Sequence, residues 1–446
     1  MAIKKHIQLS DHFSYGTLLR FTFPSIIMML FTSLYSIVDG LFVSNFVGKT
    51  GFAAINLIMP ALNILATFGY MFGAGGSALI AKTLGEEKRE KANHLFSMFV
   101  WLSIVFGIAM MILGVIFMRP IAGILGAEGQ LLEDSVLYGR IFILALPAWI
   151  LLYEFQLFFV TAEKPKLGLF VTVAAGVTNI VLDALFIIMF QWGLAGAALA
   201  SAISQVVGGV FPLIYFGRKN TSLLKLVKPE FDGRALLKGC ANGSSELMSG
   251  IAMSFLGMVY NMQLLKYVGE DGVAAYGVLM YVSMVFSAVF LGYSSGVAPV
   301  FGFHYGAGNH RELRGLLKKS LIIIGTFSVS MFILAELLAY PVSVLFVGYD
   351  AGLQDMTVHG FIVYSFAYLF MGMAIFSSSF FTALNNGPVS ALISFLRTLV
   401  FELGAVLLLP VFWGIDGIWA SIVVAEFMAT LVGIMFIIGL KKKYHY

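Results

Sequence analysis

Seven carboxylates sit where carboxylates are expensive. Asp39, Glu154, Asp183, Glu246, Glu336, Glu402 and Glu426 all fall inside long apolar runs of the chain. An ionisable side chain in such a run marks either ion handling or a buried partner. Arg397 is the one base more than two turns inside a run. The surplus of acid favours protons, metal cations or organic cations over anions.

Spacing groups some of these residues. Asn179 lies four residues before Asp183, and Ser201 four before Gln205, so each pair shares one helix face. Counted from the Lys164–Lys166 end at 1.5 Å per residue, Asp183 lies about 24 Å deep. Asp39 and Ser201 come at a similar level, toward the opposite end of their own runs. Asp39, Asn179, Asp183 and Ser201 can therefore form one cluster, a carboxylate pair with amide and hydroxyl partners. A carboxylate removed from water holds its proton more tightly, and a neighbouring carboxylate adds to that effect. Such a pair can take a proton on one side of a barrier and release it on the other. Sodium is the metal it would hold; no firm metal site can be read. Pro24 precedes Asp39 in the same run and is the candidate hinge, because proline kinks a helix and frees a backbone carbonyl. Tyr35, Glu154, Gln156, Asn179 and Gln205 are the candidate substrate-facing residues. Glu246 lies in the inner half of its run and joins the coupling-ion candidates. Glu336, Glu402 and Glu426 are assigned to pairing with Arg397 or to interface positions.

The elements that must hold these residues are membrane helices. The 446-residue chain is 60% hydrophobic and 11% charged, with a mean hydropathy of +0.94. Soluble domains carry about 25% charge, so this surface must face lipid. A spanning helix needs about 20 mostly apolar residues. Twelve runs qualify: 17–40, 52–80, 94–118, 135–160, 167–190, 193–217, 235–265, 273–301, 316–340, 357–383, 388–411 and 416–440. They are too long and continuous for barrel strands, which alternate over about 10 residues. The connections orient them, since cytoplasmic loops carry the excess of Lys and Arg. With the N-terminus inside, 22 of 27 Lys and Arg are cytoplasmic, among them Lys4 and Lys5. Lys49, Arg119, Arg140 and Lys266 fall outside. Both termini are expected in the cytoplasm, and the location expected is the plasma membrane. The start of the chain lacks the apolar core and cleavage site of a signal peptide. With a single cysteine, Cys240, no internal disulfide can form.

The chain also repeats itself at an offset of 221 residues. Val47, Gly48 and Gly51 fall on Val268, Gly269 and Gly272. Gly75 and Gly85 fall on Gly296 and Gly306, Thr161-Ala162 on Thr382-Ala383, and Trp192-Gly193 on Trp413-Gly414. Six spans per repeat make the repeats parallel, related by an axis along the membrane normal. The fold expected is an all-α membrane protein with two six-helix bundles. These are residues 1–217 and 235–446, joined by a basic cytoplasmic linker, 218–234. Rocking about a cleft between them would give alternating access. At the repeat offset Asp39 falls on Tyr260 and Asp183 near Gly404. The acids are therefore additions to the scaffold, which favours a functional role.

Phosphate-binding loops, zinc spacings, nucleophile elbows and basic nucleic-acid patches are absent, so no enzyme, nucleic-acid partner or cofactor is expected. A filter-like sequence or ring of charges, as in a channel, is also missing. The whole chain resembles the MATE family of multidrug and toxic compound extrusion transporters. The resemblance is carried by Pro24 with Val38-Asp39, Val47-Gly48, Gly85-Glu86 and Glu163-Lys164-Pro165-Lys166. It is strongest in Thr178-Asn179-Ile180-Val181-Leu182-Asp183 and in Gly193-Leu194-Ala195-Gly196-Ala197-Ala198. MepA-like and DinF-like bacterial members look nearest. The resemblance implies a twelve-helix exporter of diverse organic cations and drugs, working as a monomer and driven by H+ or Na+ entry. It implies that Asp39, Asn179 and Asp183 form the coupling cluster, with Ser201 replacing a threonine. Glu246 is similar to a cation-binding glutamate of other members. An aspartate that some members carry between Phe361 and Leu384 is missing. The related alternative, a lipid-linked oligosaccharide flippase, would need buried Arg or Lys for phosphates, and Arg397 is the one available.

Overall fold

The computed structural model describes residues 7–446, so Lys4 and Lys5 lie outside the described residues. Every regular element among the described residues is a helix. Inside hydrocarbon the backbone must bond to itself, and a helix does so within one segment. The helices are α1 (Tyr15–Phe46), α2 (Lys49–Gly85), α3 (Arg89–Ile124), α4 (Gly129–Ile143), α5 (Leu146–Thr161), α6 (Pro165–Asp183) and α7 (Gly193–Gly217). They continue with α8 (Gly233–Tyr267), α9 (Glu270–Gly306), α10 (His310–Val347), α11 (Ala351–Ser365) and α12 (Tyr368–Ala383). Last come α13 (Gly387–Phe395), α14 (Leu403–Trp413), α15 (Ile415–Gly439) and the short α16 (Lys441–Tyr444). Ten segments are long and apolar enough to cross a membrane, and two bent pairs bring the count to 12. The protein is a multi-pass membrane protein.

Two of the expected spans are broken. Run 135–160 is α4 and α5, bent by 57°, and run 357–383 is α11 and α12, bent by 47°. Pro147 stands in the first turn of α5, where it lacks the N–H that would continue α4. Phe366–Ala367, the matching break, has no proline. Two other runs contain wider π-helical turns, Ala184–Met189 after α6 and Leu396–Glu402 between α13 and α14. Hydropathy does not register either feature. Pro24 lies within α1, which runs unbroken from Tyr15 to Phe46.

The repeat is visible in the helix bounds. The 37-residue helices α2 and α9 start at Lys49 and Glu270, the 221-residue offset. Both follow a glycine with φ near +90°, Gly48 at 97° and Gly269 at 88°, a conformation that L side chains avoid. The register slips once. α4 and α11 start at Gly129 and Ala351, and α5 and α12 at Leu146 and Tyr368, each 222 residues apart. The positive-φ turns at Glu163 and Asn385 keep that slip, while those at Gly193 and Gly414 restore 221. Thr161 therefore corresponds structurally to Ala383 rather than to Thr382.

The first six spans meet the last six along α1, α2, α8 and α9. At the end with the Lys82–Lys91 and Arg311–Lys319 segments, here the basic end, backbones touch. A Cβ on Gly75 would strike the Gly239 carbonyl oxygen, and one on Gly243 the Met71 carbonyl. Gly85 abuts the Phe303 carbonyl and Gly306 the Lys82 carbonyl in the same way. On α9, Gly292 and Gly296 receive Ile26 and Ser25 of α1. The contact continues to Thr67 against Gly250 and to Ser33, whose hydroxyl donates to the Met284 carbonyl at 3.3 Å. Beyond that level Gly40, Gly257 and Gly277 have nothing within 4 Å of an added Cβ. The seam is closed at the basic end and open at the far end. The segment before α1 crosses the closed end: Leu9 N–H donates to Glu163 Oε1 at 2.6 Å and Phe13 N–H to Glu312 Oε1 at 3.0 Å.

Gly75→Val should force α2 and α8 apart. Spin labels at exposed Lys88 and Arg311 are expected to move to longer distances in that variant. Gly257→Val, with nothing to strike, should leave the distance unchanged.

Candidate functional site

Three helices each bring a pair of polar residues one turn apart to the same place. α1 supplies Tyr35 and Asp39, α6 supplies Asn179 and Asp183, and α7 supplies Ser201 and Gln205. The i,i+4 spacing stacks each pair on one face. The Asp39 carboxyl lies beside Asp183 and Asn179. Asn179 Nδ2 donates to Ser201 Oγ at 3.3 Å, and the Tyr35 hydroxyl lies near Gln205. Asp183, Asn179, Ser201 and Gln205 are buried, and Asp39 is partly open. α6 widens into its π turn immediately after Asp183. π turns leave backbone groups less tightly bonded and recur at functional positions.

The unpartnered atoms of this cluster are all oxygens. Both Asp183 carboxylate oxygens, Asp39 Oδ1, Asn179 Oδ1 and Gln205 Oε1 are buried without a hydrogen-bond partner. Buried acceptors left unpaired are costly. Two carboxyls face each other with no base between them. A cation, whether a proton or a hard oxygen-ligated ion, is the species that satisfies such a set. No group of three or more His, Cys, Asp or Glu that could hold a metal occurs among the described residues.

Of the expected residues, Asp39, Asn179, Asp183 and Ser201 come together, and Tyr35 and Gln205 border them. Gln156 lies deeper, accepting from the Tyr70 hydroxyl at 3.3 Å and donating to Thr172 at 3.4 Å. Glu154 does not join the cluster. Two residues along a helix turn the side chain by about 200°, and Glu154 is fully buried toward Ser103 of α3. Glu246 is also elsewhere, on α8 at the seam beside α2, nearer to Tyr70 and Arg397 than to the aspartates.

The second half of the chain solves its charges differently. Arg397 grips Glu426 with Nε at 3.0 and 2.9 Å from the two carboxylate oxygens and Nη2 at 2.6 Å. Glu402 approaches the Tyr260 hydroxyl, and Tyr260 stacks on Tyr276 at 4.9 Å. Ser365 donates to Glu336 across α10 and α11. The expected pairing with Arg397 thus holds for Glu426 alone. Sequence reasoning passed over Tyr138 of α4, whose hydroxyl lies near Ser201 and donates to Met59 Sδ at 3.9 Å. It also passed over Tyr70 and Tyr153, stacked at 4.2 Å. A neutral aromatic in an apolar run gives no signal of depth or direction.

A family model, MatE, matches residues 24–185 and again 247–406. The chain belongs to the MatE family. The doubled match repeats the internal symmetry within the family itself. Among its relatives are multidrug export protein MepA of Staphylococcus aureus (strain MRSA252) and of Staphylococcus haemolyticus (strain JCSC1435). The first is 25% identical over 433 residues and the second 25% over 436, and each match covers 96% of this chain and 94% of the relative. A structure of MATE in complex with MaL6 superposes with TM-score 0.92 at 23% identity, covering 99% of this chain and 100% of that one. An outward-facing multidrug resistance MATE family transporter of the MOP superfamily gives 0.91 at 23%, with 99% and 100% covered. These likenesses establish the MATE fold, as expected from the sequence.

Arg397→Leu strands Glu426, whose side chain is 1% exposed. Breaking a buried ion pair from one side costs about 3–5 kcal/mol. Thermal unfolding in detergent should show a clear loss of stability, and Arg397→Met with Glu426→Leu should recover most of it.

Proposed function

We propose that this MatE family member exports organic cations by exchanging them for protons at the Asp39–Asp183 pair. The observation that carries the reading is the pair of neighbouring carboxyls with no base between them, three of whose four oxygens are buried without a hydrogen-bond partner. The names of the MepA relatives, multidrug export proteins, support the substrate class. The basic end faces the cytoplasm in this reading, by the positive-inside rule, and the open end faces outward. Residues 1–217 and 235–446 act as two rocking bundles joined by linker 218–234. The protein works as a plasma-membrane monomer without enzymatic activity or cofactor.

In the outward-open arrangement the partly accessible Asp39 receives a proton from outside. A protonated carboxyl can donate to its neighbour, so the pair becomes a hydrogen-bonded unit rather than two repelling charges. That changes the contacts between α1 and α6, with Pro24 as the point where α1 gives. A cation held by Tyr35, Asn179 and Gln205 loses its counter-charge and leaves. After the bundles rock, the proton departs inward and the restored negative charge recruits the next cation.

The test is ethidium movement in inside-out proteoliposomes under an imposed proton gradient without sodium. Wild-type transport should stop when the gradient is collapsed. Asp183→Asn and Asp39→Asn should reduce driven transport to the level of protein-free vesicles and weaken ethidium binding, because the amide removes the counter-charge. Intact gradient-driven export by Asp183→Asn would remove the pair from coupling. Transport that needs a sodium gradient would overturn the proton as the driving ion.

A further inference from the structure

The segments that lead into the corresponding helices α1 and α8 exchange partners at the closed end. α3 and α10 also correspond, starting 221 residues apart at Arg89 and His310. The segment ahead of α8 lies on α3, in the first half. There Lys225 N–H donates to Asn93 Oδ1 at 3.0 Å and Val227 N–H to Ser97 Oγ at 2.9 Å. Arg89 donates in turn to the Leu223 and Ser222 carbonyls, both at 3.2 Å. The segment ahead of α1 lies on α10, in the second half. Phe13 N–H donates to Glu312 Oε1 at 3.0 Å, and His12 Nδ1 meets Glu312 Oε2 at 2.6 Å. Lys319 Nζ donates to the Phe13 carbonyl. Each half thus reaches over the seam to the third span of the other.

The two crossings differ in kind. The one ahead of α8 is covalent, because the chain runs from α7 through it into the second half. The strap ahead of α1 crosses by packing and hydrogen bonds alone. Leu9 and Phe13 are fully buried. The Phe13 ring stands edge-on to Phe21 of α1 at 5.8 Å and to His304 of α9 at 6.5 Å. His304 follows Phe303, whose carbonyl meets Gly85 in the glycine closure, so the strap sits over that closure. Its other end is held by the first half, where Leu9 N–H donates to Glu163 Oε1 at 2.6 Å in the turn between α5 and α6. The chain from Leu9 to Phe13 spans at most about 14 Å. While both ends are bonded, the α5–α6 turn and α10 stay within that tether, and the closed end cannot open widely.

We propose that residues 9–14 form a releasable clasp over the basic end, tying Glu163 of the first half to Glu312 and Lys319 of the second, and that this clasp must let go before the end opens. Release breaks few bonds. The acceptors are carboxylates at the ends of their helices, where water can replace the lost N–H groups. Phe13 carries its apolar area back between Phe21 and His304 whenever the end closes, so burial and bonding favour the same state. By linkage, whatever loosens the clasp favours opening, and whatever opens the seam loosens the clasp. The clasp acts on the closed end itself and is independent of which ion drives export.

Spin labels at the exposed positions Lys88 and Arg314, one in each half, read the closed end in purified full-length protein carrying Cys240→Ser. Glu312→Ala removes the acceptor of the Phe13 N–H, and the ratio of long to short label distances should rise about tenfold. Lys319→Met should shift it in the same direction. His12→Ala should stay within about twofold of the wild type, since that side chain is 77% exposed and such surface pairs contribute little. Hydrogen exchange at the Leu9 and Phe13 amides supplies the converse. Gly75→Val, which should part α2 and α8, is expected to speed that exchange about tenfold or more. If Glu312→Ala fails to fold by size-exclusion chromatography, Lys319→Met and the exchange measurement decide. Unchanged distances in both Glu312→Ala and Lys319→Met overturn the clasp. So do strap amides that stay protected in a Gly75→Val protein whose labels have separated. Neither readout involves a substrate or an ion gradient, so that failure leaves cation export standing.

Discussion

Hydrocarbon offers a polar group nothing to bond with, and this constraint shapes each level of the molecule. The backbone meets it by coiling into helices. Hydroxyls meet it by bonding back to the turn before, as Thr22 does to Leu18 and Thr32 to Met28. Carboxylates cannot meet it alone, because an ionised acid is acceptor only. Glu426 is answered by Arg397. At Asp39 and Asp183, three of the four carboxylate oxygens are buried without a partner. The same rule that makes the fold thus leaves buried acids without a base, Glu154 alone and Asp39 with Asp183 as a pair, and the proposed exchange places its mobile cation at the pair.

The seam between the halves obeys a second rule, that backbones approach closely where side chains are absent. Gly75, Gly239 and Gly243 let α2 and α8 meet main chain to main chain. Such a contact is specific in register and carries little apolar area to pull apart. Closure at one end with a gap at the other follows from where these glycines lie, since Gly40, Gly257 and Gly277 face open space.

The spans, the repeat and the central cluster were legible because their signals are periodic or costly. Long apolar runs have few alternatives, and Asp39, Asn179, Asp183 and Ser201 announce themselves by polarity at matched depth. What stayed hidden depends on rotation. Glu154 and Gln156 are near neighbours in sequence yet point to different helices, and the bends and π turns that set such angles have almost no signature in composition. Pro147 marked one break, but Phe366–Ala367 marked nothing. Glu246 was readable as a buried acid, but its place at the seam follows from the packing of Gly243 and Gly250. Tyr70 and Tyr153 became visible only as a stacked pair, since tyrosines in an apolar run read equally well as interface residues.

The two halves share a scaffold and differ in chemistry, and the π turns locate the difference. α6 starts at Pro165 and widens at Ala184, whereas α13 starts at Gly387 and widens at Leu396. Asp183 stands at the threshold of the first π turn, and Arg397 and Glu402 lie within the second. A π turn is in effect one extra residue in a helix, so every side chain beyond it is rotated relative to those before it. The repeat fixes where each helix begins, and the position of the bulge fixes which way its outer part faces. Duplication can therefore preserve packing while placing a pair of facing carboxyls in one half and a self-neutralised ion pair in the other. In the proposed exchange the first half would change charge during a cycle, while the second keeps Arg397 and Glu426 paired.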